Sequence, residues 1–222
     1  MPVSEAVKTV KIIKSRRTTI SLEITISGEI LIRAPFFSNE KQINNFICKH
    51  QNWINKKLEL FQTFSEPTRP DHIYYLGNEY KIILSTEMTI PFKFENNFYF
   101  SKNYFTHRKE ILQSWLKTKA HEFIIPRFME HANSFDIHFN HVSINSASRR
   151  WGSCSTKRNV NFSLRLIMTK PAAIDYVIIH ELAHLKEMNH SVNFWNEVRQ
   201  MMPDYKEQEK YLRLNTHKFC LC

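Results

Sequence analysis

Two histidines four residues apart, at the end of an apolar helical pattern, constrain this chain more than any other feature. Ile174, Val177 and Ile178 have the spacing of a buried helix, and His180-Glu181-Leu182-Ala183-His184 continues it. On an α-helix, residues four apart share one face at about 6 Å, so the two imidazoles converge on a single ion. Glu181 is rotated by about 100° from His180. Its carboxylate therefore stands beside an ion rather than on it, where it can take a proton from water. With 11 His in 222 residues, such a motif arises by chance in about 4% of chains of this composition, so it needs a third ligand in support.

A catalytic zinc takes three protein ligands and leaves one position open. Glu187 shares the helical face but lies roughly 10 Å from His180 along the axis, too far for one centre. His190 is six residues past His184 and reaches the ion only if the helix ends between them. Asn189 tolerates the left-handed backbone that ends helices, which predicts a turn there and favours His190 as third ligand. Glu197, Glu207 and Glu209 are the substitutes on later helices. Requiring a histidine at 190 lowers the chance frequency to about 0.2%. His121-Glu122 is followed by Phe123-Ile124-Ile125 and has no second ligand.

Composition removes other classes. Three glycines, Gly28, Gly77 and Gly152, leave no room for a dinucleotide or P-loop fingerprint. Cys48, Cys154, Cys220 and Cys222 are too sparse for a disulfide scaffold and form no C-x-x-C pair. No apolar run approaches the roughly 20 residues that span a bilayer. Nothing at the N-terminus reads as a secretory signal, so a cytoplasmic location is expected, with no membrane partner. The net charge of +10 is dispersed along the chain. It reads as a solvated surface, with salt-dependent attraction for nucleic acid as a second reading.

The periodicity predicts strands over 8–14, 19–26 and 29–34 as a small antiparallel sheet, turning at Ser27-Gly28-Glu29. One amphipathic helix follows, capped by Ser38 or Asn39 and carrying Ile43 through Leu60. A loop over 64–71, strands at 73–76, 80–84 and 96–100, and a hairpin tip at Gly77-Asn78 come next. A helix over about 104–133 is expected to kink or split at Pro126. Strands near 141–147 and 159–166 flank a polar segment, and Thr169 and Pro171 open the histidine helix as cap and first turn. The expected architecture is α+β: a β-rich part over 1–100 with one helix, packed on a helical metal-binding domain with a short sheet over 101–222.

The stretches IDYVIIHELAHLKEMNHSVNFW (174–195) and RRWGSCS (149–155) closely resemble the YgjP-like metallopeptidase family, relatives of the SprT-like zincins. The resemblance extends through 15–35, 53–58 and 74–82. It implies a zincin-like fold with His180, His184 and His190 as ligands of one Zn²⁺ per chain, Glu181 as catalytic acid/base, and a peptide or protein substrate. Where the family carries a glycine-bearing turn, this chain has Lys157-Arg158-Asn159, and Asn159 is expected to take the glycine's conformation. Cys220-Leu221-Cys222 does not suffice for the zinc ribbon common in SprT-like DNA-repair proteases.

The chemistry expected is hydrolysis by a metal-activated water whose proton passes through Glu181 to the leaving amine. Arg149, Arg150, Tyr205, Tyr211 and His217 are candidate donors for the developing oxyanion. Arg149, Arg150, Trp151 and Gly152 are the expected substrate-binding residues, and Arg150-Trp151-Gly152-Ser153 reads as an extended wall or edge strand along the site, with Trp151 in the core and Gly152 admitting a substrate backbone. Ser153 and Cys154 are not needed as nucleophiles. Phe194 and Trp195, after Ser191 as cap, read as core anchors. Two alternatives stand beside the peptidase: a metal-dependent nucleoside triphosphate hydrolase drawing on Arg149 and Arg150, and a DNA-associated protease or adaptor of SprT-like type.

Overall fold

The computed structural model describes residues 10–24, 29–64 and 71–221, and no helix among them is long and apolar enough to cross a membrane. The turn expected at 27–28 and most of the loop expected at 64–71 lie outside the described residues. The fold is α+β and divides into two compact units, Met1–Pro67 and Thr68–Cys222.

In the first unit, Ile30, Ile32 and Ala34 alternate inward along β3 (Ile30–Pro35), so this strand is the centre of its sheet. β2 (Ser21–Ile24) pairs with it antiparallel, but β1 (Val10–Ser15) pairs with it parallel, giving the order β1-β3-β2. The expected all-antiparallel sheet is thus corrected. Residues 16–20 let the chain cross past β3 before returning, so β1 is a largely exposed edge. The expected single helix is two, α1 (Glu40–Lys49) and α2 (Gln51–Phe64), broken at His50. Asn39 is the cap: its side chain accepts from the Gln42 amide while the Gln42 side chain accepts from the Asn39 amide. Ile43 and Ile54 join β3 in the core of this unit.

The second unit begins with β4 (His72–Tyr75) and β5 (Asn78–Ser85), joined by a two-residue tip one position before the expected Gly77-Asn78: Leu76 (φ 48°) and Gly77 (φ 83°) are both left-handed, and Asn78 already pairs with Tyr75. The tip docks on the chain ahead of the histidine helix: the Leu76 and Gly77 amides donate to the Ile167 and Met168 carbonyls at 2.9 and 3.1 Å. A Cβ on Gly77 would stand 2.9 Å from Lys170 Cβ. With β6 (Phe92–Phe94) and β7 (Phe98–Ser101), the sheet order is β4-β5-β7-β6. Phe98 and Phe100 share one buried cluster with Leu112 and Leu116. That shared core is why the division falls at residues 67/68 rather than near residue 100.

α3 (Arg108–Ser134) buries Leu112, Leu116, Ala120, Ile124, Phe128 and Ala132 on one stripe and runs through Pro126 without splitting. Pro126 lies on the exposed face, where water can take the carbonyl that lacks a helix donor. A third sheet follows in the order β8-β10-β9, from β8 (His141–Asn145), β9 (Gly152–Cys154) and β10 (Asn159–Ser163). β9 therefore occupies an edge of this sheet and overlaps the stretch 150–153 read as an extended wall or edge strand.

α4 (Pro171–His184) is buried nearly all round, against α3, β9, α5 (Val192–Met201) and α6 (Tyr205–Asn215). Pro171 takes the first turn as expected, but the cap is Lys170; Thr169 instead turns its hydroxyl to the Leu166 carbonyl at 2.8 Å. Arg127 on α3 grips Asp175 on α4 through two bonds of 2.8 and 2.6 Å, with His131 Nε2 3.5 Å away. Burial alone would raise the Asp175 carboxyl, but hydrogen bonds from His131 and Arg127, with their charges, outweigh it and hold it low.

A lowered carboxyl pKa stabilises the fold above the ordinary value of 3.8, and that contribution is lost as pH falls through the depressed folded value. Asp175→Asn should therefore lower stability by about 2 kcal/mol near neutral pH. Its denaturation curves should also lose less stability than wild type on further acidification. Equal acid sensitivity in the two proteins would contradict this.

Candidate metal centre

α4 ends where the site begins. The Lys186 and Glu187 amides both close onto the Ala183 carbonyl, at 3.0 and 2.8 Å, and the chain turns away from the helix axis. Asn189 is not left-handed, contrary to expectation; among the described residues only Leu76, Asp136 and Arg158 other than glycine have positive φ. The reversal closes instead by a bond from the Ser191 amide to the Asn189 carbonyl, 2.7 Å. Ser191 then caps α5 through its hydroxyl, which accepts from the Phe194 amide. His190 is thereby brought back over the histidine pair.

The result is a cluster of three imidazoles, His180, His184 and His190, with one ligating atom from each lying within 4.8 Å of the others. The Nε2 atoms of His180 and His190 are 3.1 Å apart. Two nitrogens held by one tetrahedral zinc at ~2.0–2.1 Å stand roughly 3.3 Å apart, so the spacing fits such an ion. His184 Nδ1 lies 3.2 Å from the Glu187 carbonyl, which can accept its proton and leave Nε2 bare for the cluster. Phe194 lies beneath all three rings at centroid distances of 4.5–4.9 Å. Burial, then the neighbouring charges of His184 and His190, push His180 down to about 3, and burial lowers His184 as well. Both are therefore neutral at physiological pH, the form that binds a metal.

Glu181 is 4% exposed beside this cluster, and its Oε2 has no hydrogen-bond partner. Burial pushes the carboxyl up to about 8, while the Arg150 charge draws it partly back. A cation held at the three imidazoles would lower it further, toward the carboxylate. Gly152 packs directly on this side chain: a Cβ there would stand 2.5 Å from Glu181 Oε1 and 2.7 Å from Cγ. The expectation that Gly152 makes room for substrate is corrected to that extent, because the space a side chain would need is filled by Glu181.

A cleft of about 300 Å³ is lined by Arg150, Gly152, Ser153, Cys154, the three histidines, Glu181 and Met188. Of the expected substrate-binding residues, Arg150 and Gly152 line the cleft, while Arg149 and Trp151 do not. Trp151 packs edge-on against Phe219 with the Arg165 guanidinium 4.8 Å above its ring, so it is structural. Burial and the Glu181 charge push the Cys154 thiol up to about 11, which keeps it protonated and a poor nucleophile. Of the other oxyanion candidates, Tyr205 is buried against Trp195, and Tyr211 faces Phe219 and the Lys170 ammonium. Neither they nor His217 line the cleft. Glu197 is paired with Lys186 at 2.9 Å, Glu207 is exposed, and Glu209 lines a different cavity.

Sequence reasoning missed Arg158. The left-handed residue before β10 is Arg158 (φ 58°), not Asn159. Its guanidinium bonds the His138 carbonyl and, at 3.2 Å, the Leu185 carbonyl just past the last turn of α4. A cation there complements the helix C-terminus that carries His184. Only the neighbouring turn signal was visible in the sequence.

Comparison with curated proteins gives no match. The metallopeptidase zymogen of Pyrococcus abyssi abylysin, known from a crystal structure, is similar at 24% identity over 40% of this chain and 90% of that chain, with a TM-score of 0.37. That likeness is too slight to carry an argument. The family model for the YgjP-like metallopeptidase domain matches residues 18–215, which spans both compact units and every residue of the cleft. This chain belongs to the YgjP-like metallopeptidase family.

Proposed function

We propose that the chain is a zinc-dependent peptidase in which His180, His184 and His190 hold one ion and Glu181 is the general acid/base. The observation that carries this is the convergence of three imidazoles beside a buried carboxylate with one unpartnered oxygen. A zinc ion at three histidines supplies Lewis acidity, lowering the pKa of water toward neutrality and polarising a carbonyl. Glu181 Oε2 takes the proton of the attacking water and returns it to the leaving nitrogen. Arg150, the arginine that lines the cleft, offers N–H donors to the carbonyl oxygen as charge develops there.

β9 supplies the docking edge. Trp151 O and Ser155 N bond toward β10 and its flank, so by the alternation of an antiparallel pair Gly152 and Cys154 turn their N–H and C=O groups outward. An extended peptide can pair with that edge and pass the histidines. Recognition of a nucleoside triphosphate calls for several converging cations or a phosphate-binding loop. Among the described residues the cleft gathers one arginine, which favours a peptide.

Elemental mass spectrometry joined to hydrolysis of a quenched-fluorescent peptide mixture tests the reading. About one zinc per chain is expected, retained in Glu197→Ala. In His190→Ala the loss of affinity should exceed the ~10–100-fold typical of outer-shell changes. Peptide hydrolysis should disappear with a chelator and return with zinc. No zinc uptake, or zinc uptake with cleavage of nucleoside triphosphates and of no peptide, would overturn the proposal.

A further inference from the structure

A second cavity, of about 430 Å³, lies beside the metal cleft, lined by Val192, Trp195, Asn196, Arg199, Tyr205 and Glu209. Nothing in the mechanism above uses it. It is joined to the metal centre by rings in contact. The Trp195 ring centroid is 5.9 Å from those of His180 and His190, at 29° to the latter, and 5.5 Å from that of Tyr205 at 20°. An extended peptide advances ~3.3 Å per residue. A chain whose scissile bond lies at the histidines therefore brings to this cavity a side chain from within two or three residues of that bond.

The walls are not equivalent. Tyr205 is buried and Glu209 half-buried, whereas Val192, Asn196 and Arg199 are exposed, Val192 to 76%. Arg199 is exposed, so its charge is solvated and screened and its side chain can swing away. Glu209 is the less exposed of the two charged residues and lines the cavity together with the Trp195 and Tyr205 rings. Aromatic faces together with a carboxylate form a receptor for a long cationic side chain, whose alkyl stem lies on the rings and whose head pairs with the acid.

We infer that this cavity is a specificity pocket for a lysine or arginine side chain of the substrate, its stem against Trp195 and Val192 and its head on Glu209. This rests on the peptidase reading, and the test separates the two. Nα-acetyl-arginine amide, titrated into the zinc-loaded full chain, is followed by the indole N–H resonance of Trp195, identified by its loss in Trp195→Phe. A saturable shift is expected. It should weaken at least tenfold in Glu209→Gln at unchanged zinc content, and be absent with Nα-acetyl-norleucine amide at equal concentration.

In parallel, peptides differing only in lysine, arginine or norleucine near the scissile bond are compared. The basic-over-norleucine ratio of kcat/KM should exceed tenfold and fall at least tenfold in Glu209→Gln. Binding of the arginine amide without cleavage of any peptide would leave the pocket standing and sink the peptidase. Cleavage without basic preference would do the reverse. A Trp195 shift with Nα-acetyl-glutamate amide that is lost in Arg199→Gln, or no shift with any of the three amides, would overturn the pocket.

Discussion

Glu181→Gln should lower peptide turnover by roughly 10²–10⁴-fold, the usual range for a general acid/base, while the chain keeps its zinc. Glutamine preserves the shape of a side chain that is 4% exposed, so the surrounding packing has no cause to move. It removes only the ability to accept and return a proton at Oε2. The second half of the prediction concerns stability. An ionised carboxyl at this depth opposes folding, as the upward pressure of burial on Glu181 shows. The metal-free variant should therefore melt no lower than metal-free wild type. Loss of zinc together with activity would make Glu181 a ligand; retained activity would remove it from the chemistry.

Gly152→Ala should cost at least about 100-fold in turnover without loss of zinc, although residue 152 carries no reactive group. The new methyl would overlap Glu181 Oε1, Cγ and Cδ at 2.5, 2.7 and 2.8 Å. Such separations force one side to move, and the mobile partner is the glutamate, since Gly152 is fixed opposite Phe162 in the pairing of β9 with β10. Overpacking of this kind also costs ~1–3 kcal/mol of stability. A double variant isolates the mechanism: Gly152→Ala added to Glu181→Gln should reduce turnover little further, because both act through one carboxylate. Full additivity would place the effect of Gly152 elsewhere, on the docking edge of β9.

Much of the centre was legible along the chain because its information is local. His180, Glu181 and His184 fall on one helix, whose period alone sets two imidazoles on one face and turns the carboxylate aside. His190 is also close enough in sequence that one turn suffices to return it. The turn itself was misread. Asn189 has the residue type for a left-handed helix end, but bonds from Lys186 and Glu187 to Ala183 and from Ser191 to Asn189 reverse the chain without it.

The same distinction holds in the fold. Asn39 as cap, Pro171 in the first turn and a hairpin at Gly77 all rest on contacts within a few residues, and the sequence carries them, apart from the one-residue shift of the hairpin tip to Leu76-Gly77. The parallel pairing of β1 with β3 and the two helices in place of one depend on distant neighbours, and local pattern does not report them. Arg158 shows how the two levels part: its left-handed backbone answers a local turn, while its guanidinium reaches the end of α4 only because β10 passes there.

By itself, then, the amino-acid sequence determined the family, the α+β class and the chemical identity of the three histidines and the glutamate, since each depends on residue type and helical period. The tertiary structure alone decided that Gly152 is reserved for Glu181, that Arg150 and not Arg149 faces the cleft, and that Trp195 and Glu209 wall a second cavity. Those are matters of approach between segments far apart in the chain, fixed by close packing, and no spacing within a single segment encodes them.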